Sequence, residues 1–515
     1  MPQLKRKPPL RKASLLVLLL GLALFPSAAL AHAKLVRSQP GANATVTEAP
    51  KLIELWFSEE LQVSFSTIIV HDQNGKHVDK NDVTLSEGGK KLQISVEDLP
   101  SGKYTVEWKS LSTDGHTMKG QFGFAVALPA SSTPAANTSP SPSAQRTPSA
   151  QPSASIPVES IQESGTGFSM SIVRWLEYLG MMILFGAFSF RLLVLAPSMQ
   201  KATIDESATL LARNDRHFVQ FAWLALLLIA ITSIVGLIQE TAAVQDTSLS
   251  LALAPSRMWQ VISQTSYGGP WLLKMATLLS LAIVVLIILQ RKKARSRPLL
   301  WIGLGLMLLM FVAPSLMGHA AAAKGWPLAI FSDWLHLVAV AFWVGGLFYL
   351  ALAMKAVRTG LDNRQRIRLL HEIIPAFTRL AIASTIIIAV TGVYNSWIHV
   401  DRWSALWTTS YGKTLSIKVL LFIPMLMLGG LNTFVIHPRV KHVVAGGNEE
   451  KDGSAPKLND AFRRSVAIEV VLGVAVLLAA AVLVFQQPAS EHPGMAEDRK
   501  YDSRLTAESS ESRTK

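Results

Sequence analysis

Cysteine is absent from all 515 residues. That excludes disulfides, thiolate metal sites and cysteine nucleophiles together. A GxxxxGK[ST] phosphate loop is also absent, and no large soluble segment is left over to bind nucleotide, so a nucleotide-fuelled machine is excluded. Acidic residues are scarce beside basic ones: 35 Asp and Glu against 49 Lys and Arg, a formal net charge of +14. On a soluble chain that excess would suggest nucleic acid. Here the basic residues sit mainly in short segments between apolar runs, which is the pattern of a positive-inside bias, and no nucleic-acid partner is expected.

What is abundant is apolar. Hydrophobic residues make up 50% of the chain and the mean hydropathy is +0.32. They cluster in runs of about twenty, the length that crosses roughly 30 Å of hydrocarbon. The class is therefore a polytopic membrane protein with the lipid bilayer as partner.

Residues 1–31 read as a secretory signal peptide. Lys5, Arg6, Lys7, Arg11 and Lys12 form a basic start, Leu15 to Leu24 an apolar core, and Ala29-Leu30-Ala31 a small-x-small cleavage site. Cleavage there makes His32 the new N-terminus. Residues 32–128 read as an all-β, Ig-like sandwich or barrel of about seven short strands, with strand-like runs at 52–57, 66–71, 92–96, 104–108 and 121–126 and turns at Asn74-Gly75 and Pro100-Ser101-Gly102. Residues 129–160, rich in Ser, Pro, Ala and Thr, cannot bury a core and are expected to be a disordered linker.

Residues 161–486 read as an all-α membrane domain of eight spans, at roughly 169–196, 218–239, 270–290, 298–318, 328–354, 377–399, 411–436 and 465–486. An exported β domain puts the start of the first span outside. Alternate loops then fall in the cytoplasm, and those are the basic ones: Arg291, Lys292, Lys293, Arg295 and Arg297 in one, Lys355, Arg358, Arg364, Arg366 and Arg368 in the next. The loops at 240–269 and 319–327 carry one basic residue each. The expected location is the cytoplasmic membrane, multi-pass, with the β domain and a polar tail at 487–515 both extracellular or periplasmic.

A free N-terminal His offers its α-amine and a ring nitrogen to one ion, and a second imidazole completes a nitrogen-rich tetragonal set suited to Cu(II). His32 supplies the first part. Asp114-Gly115-His116 supplies the second, because residues i and i+2 of an extended segment face the same way. His71 and His77 flank the Asn74-Gly75 turn as solvated hairpin histidines with the capacity for a weak second site. In the helical part, Asp333 and His336 are i, i+3 neighbours, and His319 and His399 fall at the outer ends of their spans. All four are candidate ligands of a membrane copper site, since polar groups inside a bilayer are costly and face a pathway or a partner. Met317 is a soft neighbour. Arg174 and Glu177 are expected to pair, Lys274 and Lys413 to snorkel to the interface, Glu469 to meet a basic neighbour, and Lys418 to seek Glu177 or Asp333.

His32-Ala33, Ser38-Gln39-Pro40-Gly41, Leu55-Trp56-Phe57-Ser58-Glu59, Tyr104-Thr105-Val106-Glu107-Trp108, Ser112-Thr113-Asp114-Gly115-His116 and Gly120-Gln121-Phe122 together resemble the CopC family of periplasmic copper-binding proteins. The resemblance implies Cu(II) ligands at His32, Asp114 and His116. With Met118 as its sole methionine, the domain departs from family members that carry a Met-rich Cu(I) site. Gly318-His319, Asp333-Trp334-Leu335-His336, Phe342-Trp343-Val344-Gly345-Gly346, Tyr411 to Val419 and Gly429-Gly430-Leu431-Asn432 resemble the CopD family. A CopC–CopD fusion is similar to bacterial copper-uptake and copper-resistance proteins of the YcnJ type. That resemblance implies copper as cargo, transport into the cytoplasm and no enzyme activity, with any extracellular copper chaperone or reductase left unidentified. Two other readings stand beside it: extracellular sequestration for tolerance, or donation of copper to another membrane protein. A copper-dependent oxygenase also uses an N-terminal His brace, but this domain is small and its D-G-H motif fits the CopC family better.

Overall fold

The computed structural model describes residues 35–58, 60–112, 117–128, 166–202, 207–290, 297–318, 326–400, 402–446, 454–486 and 489. Residues 1–31, the linker at 129–160 and the tail at 487–515, apart from Ala489, lie outside that set. The chain divides into two compact units, residues 32–163 and residues 164–515, the latter grouped with 1–31.

The first unit is a β-sandwich of eight strands. One sheet has the order β1 (Leu35–Gln39), β3 (Leu52–Phe57), β6 (Lys91–Ser95) and β5 (Thr84–Ser86). The other has β2 (Thr45–Val46), β8 (Thr117–Val126), β7 (Gly102–Leu111) and β4 (Thr67–Asp72). All pairs are antiparallel except β2 with β8. Alternation does the work: in β3 Ile53, Leu55 and Phe57 are buried while Leu52, Glu54 and Trp56 are not, and β7 buries Tyr104, Val106 and Trp108 against Phe122, Phe124 and Val126 of β8. Trp108 meets Phe57 edge-on at 5.2 Å, joining the two sheets. Gly120 lies beneath that indole, where any Cβ would collide with the Trp108 ring. The Tyr104 hydroxyl donates to the Pro100 carbonyl at 2.8 Å and fixes the turn before β7. The expected strands are present; β7 and β8 run longer than the apolar runs alone suggested because they pair across ten residues.

Among the described residues, the second unit holds eight helices long and apolar enough to cross a membrane: α1 (Gly167–Lys201), α2 (His217–Gln245), α3 (Gly268–Gln290), α4 (Arg297–Leu316), α5 (Pro327–Lys355), α6 (Asn363–His399), α7 (Ser410–Ala445) and α8 (Ala455–Val484). Of its apolar window, α1 buries 78% and α7 only 17%, so α1 is central and α7 peripheral. At the closest crossing Gly186 of α1 lies on the backbone of Gly345 of α5, where a Cβ on either residue would overlap the other chain. Small residues give such close approach in place of a hydrophobic drive between helices. Three spans carry π-bulges, at Arg191–Leu195, Ala341–Gly345 and Asn432–Ile436. The sixth span departs from expectation. The sequence places residues 363–371 in a basic loop, yet the helix starts at Asn363, with Asp362 and Gln365 forming a capping box. Helical propensity of the Arg-rich segment and the cap extend it beyond the apolar core.

Candidate metal centre

The three expected ligands of the β domain, His32, Asp114 and His116, lie outside the described residues; their flanks can be placed. Leu35 opens β1 and pairs with Phe57. Phe57 touches Trp108, and three residues on, Leu111 pairs with Thr117 across the β7–β8 connection that carries residues 112–116. The strand following His32 and the β7–β8 connection thus lie toward the same end of the sandwich. Gln62 holds that end by donating its backbone N–H to Leu111 at 2.7 Å and its side-chain amide to Ser112 at 2.9 Å.

His71 and His77 face each other across a bridge, ring centroids 4.5 Å apart. Each has its own carboxylate, Glu107 at 3.8 Å from His71 and Asp79 at 3.7 Å from His77. The turn between them is set by Asp72, whose carboxylate accepts the N–H groups of Asn74 and Lys76 at 2.8 and 2.9 Å. The Lys76 N–H, more than any other contact, holds that carboxyl below its ordinary value.

In the helical unit His336 is buried on α5, facing α6. Its Nδ1 lies 2.9 Å from Thr391 Oγ1. The Thr391 hydroxyl donates its own proton to the Ile387 carbonyl at 2.6 Å, so its oxygen accepts the His336 Nδ1–H. The ring is then the neutral tautomer with a lone pair on Nε2, the form in which imidazole binds a metal, with its other nitrogen anchored. One turn earlier, Ser332 donates to Asn395 of α6 at 2.7 Å. The Lys418 ammonium on α7 lies within electrostatic reach of both His336 and the Asp333 carboxylate. Lys418 therefore couples to Asp333, one of its two expected partners. His399 packs against Tyr411, ring centroids 6.2 Å apart. His319 is outside the described residues. Among the described residues, no three His, Asp or Glu side chains converge on one point as a metal site.

Two sequence expectations need correction. Lys274 does not snorkel. It is buried, and its ammonium donates to Glu177 of α1, which also accepts from Ser233 of α2 at 2.9 Å and lies 3.7 Å from Arg174. A small, solvent-open pocket beside this cluster is lined also by Glu240 and Tyr267. A cation so deep is cheaper paired than stretched toward water. Glu469 does not meet a base: among the described residues its carboxylate accepts from Asn432 at 2.7 Å and Ser465 at 3.4 Å. Asn432 opens the π-bulge of α7, a backbone feature that apolar periodicity does not reveal.

Thr391 and Asn395 were missed by sequence reasoning. A Thr or Asn in an apolar helix carries no signal until its neighbour on the next helix is known.

Comparison with known proteins divides the chain the same way. Residues 35–127 match the family model described as "CopC domain", residues 166–330 "Copper resistance protein D-like, N-terminal domain", and residues 371–483 "Copper resistance protein D". The chain is 25% identical over 474 residues to "Copper transport protein CutJ" of Bacillus subtilis, covering 91% of this chain and 76% of that protein. Its β domain is 37% identical over 98 residues to "Protein YobA" of Escherichia coli, covering 19% of this chain and 79% of that one. The crystal structure of CopC from Methylosinus trichosporium aligns at 31% identity over 19% of this chain and 95% of that one, with a TM-score of 0.18. With a CopC domain followed by both parts of a CopD-type membrane region on one polypeptide, the chain belongs to the CopC–CopD copper-resistance family.

Proposed function

We propose that this protein acquires copper outside the cytoplasmic membrane and passes it inward through the helical unit. One observation carries the reading: a buried imidazole, His336, is held as the Nδ1–H tautomer by Thr391, with its Nε2 lone pair available inside a bundle that crosses the bilayer. His32, with Asp114 and His116, captures Cu(II), and the placement of their flanks toward the same end of the sandwich supports that grouping. The linker lets the β domain deliver its ion to the outer mouth, where His319, Asp333, His336 and His399 are the receiving residues.

Lys418 gives the receiving site its logic. Without copper, the Lys418 ammonium, within electrostatic reach of Asp333, serves as the counter-charge to that carboxylate in a low-dielectric setting. An arriving copper ion competes with that ammonium for Asp333 while His336 Nε2 supplies a neutral donor. When the ion leaves, Lys418 returns. Passage is then an exchange of cations, which needs no nucleotide and suits downhill or gradient-coupled movement.

The deciding experiment is cellular copper content in a deletion strain, complemented with the intact chain or with His336→Gln. Import predicts less copper in the deletion and in the His336→Gln strain, restored by the intact chain. Sequestration or tolerance, which the names of several relatives favour, predicts unchanged or greater cytosolic copper on deletion, and that result would overturn import.

A further inference from the structure

Two histidines at the far end of α6 and α7 have no part in the reading above. The rings of His371 on α6 and His437 on α7 are nearly parallel, 16° between planes, with centroids 5.7 Å apart. Nδ1 of His371 and Nε2 of His437 are both buried, and neither has a hydrogen-bond partner. A buried polar atom without a partner calls for an explanation, of which an ion is one.

The local chain explains how this arrangement arises. Pro375 lies four residues after His371 inside α6. Proline has no N–H, so the His371 carbonyl is deprived of its helical donor. The His437 ring donates to that carbonyl instead. Because Nε2 of His437 has no partner, the donor is Nδ1, and Nε2 is left as a lone pair. A ring nitrogen anchored on a backbone carbonyl while the other faces inward is the usual posture of a metal-binding histidine. His437 immediately follows the π-bulge Asn432–Ile436. One inserted residue turns the succeeding helix face by about 100°, which sets where His437 faces. The helices are also tied nearby by the Thr378 and Thr433 hydroxyls, 3.2 Å apart.

We propose that His371 and His437 form a two-imidazole Cu(I) site at the opposite end of α6 from His336. The spacing leaves room for an ion: two metal–nitrogen bonds of about 2 Å plus two ring radii of about 1.1 Å put the centroids roughly 6 Å apart, close to the observed 5.7 Å, and turning the rings out of their present stacking would aim both free nitrogens at one ion. Imidazole suits copper and zinc alike, but two donors satisfy Cu(I), a d¹⁰ ion content with linear coordination, and leave Cu(II) or Zn(II) short of ligands. His371 is 20 residues from Thr391 along the same helix, 391 minus 371, or about 30 Å at 1.5 Å per residue. That is the thickness of the hydrocarbon core. The choice of copper rests on the import reading, which makes this pair the station where the ion leaves. The ion captured as Cu(II) gains one electron from a one-electron reductant outside this chain, such as a thiol, before it reaches this pair; no reduction is assigned to the chain itself, which holds no cysteine.

The test uses the full chain in detergent, with Cu(I) supplied anaerobically and a chromophoric chelator as competitor. His371→Gln/His437→Gln is expected to lose one Cu(I) equivalent, and each single variant to bind that equivalent at least about tenfold more weakly. His336→Gln should retain it. A second measurement needs no variant: carbethoxylation of histidines in the unmodified protein, read by mass spectrometry with and without Cu(I). Protection of His371 and His437 supports the site. Unchanged stoichiometry in the double variant, or equal labelling of both residues with Cu(I), overturns it. The two readings fail separately: a deletion strain that keeps its copper sinks import yet leaves a protected histidine pair standing, whereas an unprotected pair leaves import standing without this exit.

Discussion

Thr391 can accept the Nδ1–H of His336 at 2.9 Å because its own hydroxyl proton is committed to the Ile387 carbonyl. The tautomer of the histidine is thus set one residue away from it. Thr391→Val keeps the shape and removes the acceptor; copper affinity at the helical site is expected to fall about 10–100-fold, while Thr391→Ser holds it. Copper uptake by cells carrying each variant checks the difference. The Glu177 carboxylate shows the same dependence with a larger stake. It balances Lys274 and is close to Arg174, so Glu177→Gln leaves buried cations uncompensated and should cost about 3–5 kcal/mol. Thermal unfolding in detergent measures this, and adding Lys274→Met should recover most of the loss. His32 makes the third residue-scale case. Segment 32–128 beginning at His32 should bind one Cu(II) with nitrogen couplings in its EPR spectrum, and one extra residue before His32 should abolish that signature. The sequence made His32, Asp333 and His336 conspicuous because each is an odd residue in its setting. It hid Thr391, since a threonine bonded to its own helix looks complete, and it misplaced Lys274, since depth within a span cannot be read without the neighbouring Glu177.

At the scale of elements, the strands were legible from alternation, as Ile53, Leu55 and Phe57 of β3 show, whereas their ends were not, because pairing with a neighbour sets them. The helices were legible as apolar runs; the π-bulges and the Asp362 cap of α6 were not, since both depend on backbone contacts rather than on composition. The β-sandwich also carries a pH signature. Lys91 is raised above its ordinary 10.5 chiefly by its hydrogen bond to Glu54, at 2.8 Å. Asp72 and Asp82 are lowered below 3.8, chiefly by Lys76 and Ser95 respectively. A lowered carboxylate contributes stability that is present above its unfolded value and lost as pH falls through the folded one. A raised lysine contributes stability that is present below 10.5 and lost as pH rises through its folded value. Melting of segment 32–128 should therefore be flat from about pH 5 to 9 and decline on both sides. Lys91→Met should weaken the alkaline decline and leave the acid one unchanged. A midpoint that varies across the neutral range would argue that groups other than Lys91, Asp72 and Asp82 govern the domain.

For the whole molecule, the eight spans follow from hydropathy, and their orientation rests on the expected export of the β domain and on charge: the loop 290–297 is basic and the loop 240–269 holds a single Arg257. The absence of cysteine turns that inference into a clean experiment, because any introduced thiol is unique. Ser250 is exposed in the α2–α3 connection and Ser296 sits in the basic α3–α4 connection. If the basic loop is cytoplasmic, a membrane-impermeant maleimide labels Ser250→Cys in intact cells and labels Ser296→Cys only after lysis. The reverse pattern would turn the molecule over. The His336 level of α6 would then face the cytoplasm and the His371–His437 end, a bilayer's thickness away, the outside. The maleimide pattern therefore fixes which imidazole site faces which side, and the copper content of the deletion strain then decides the direction in which the ion crosses between them.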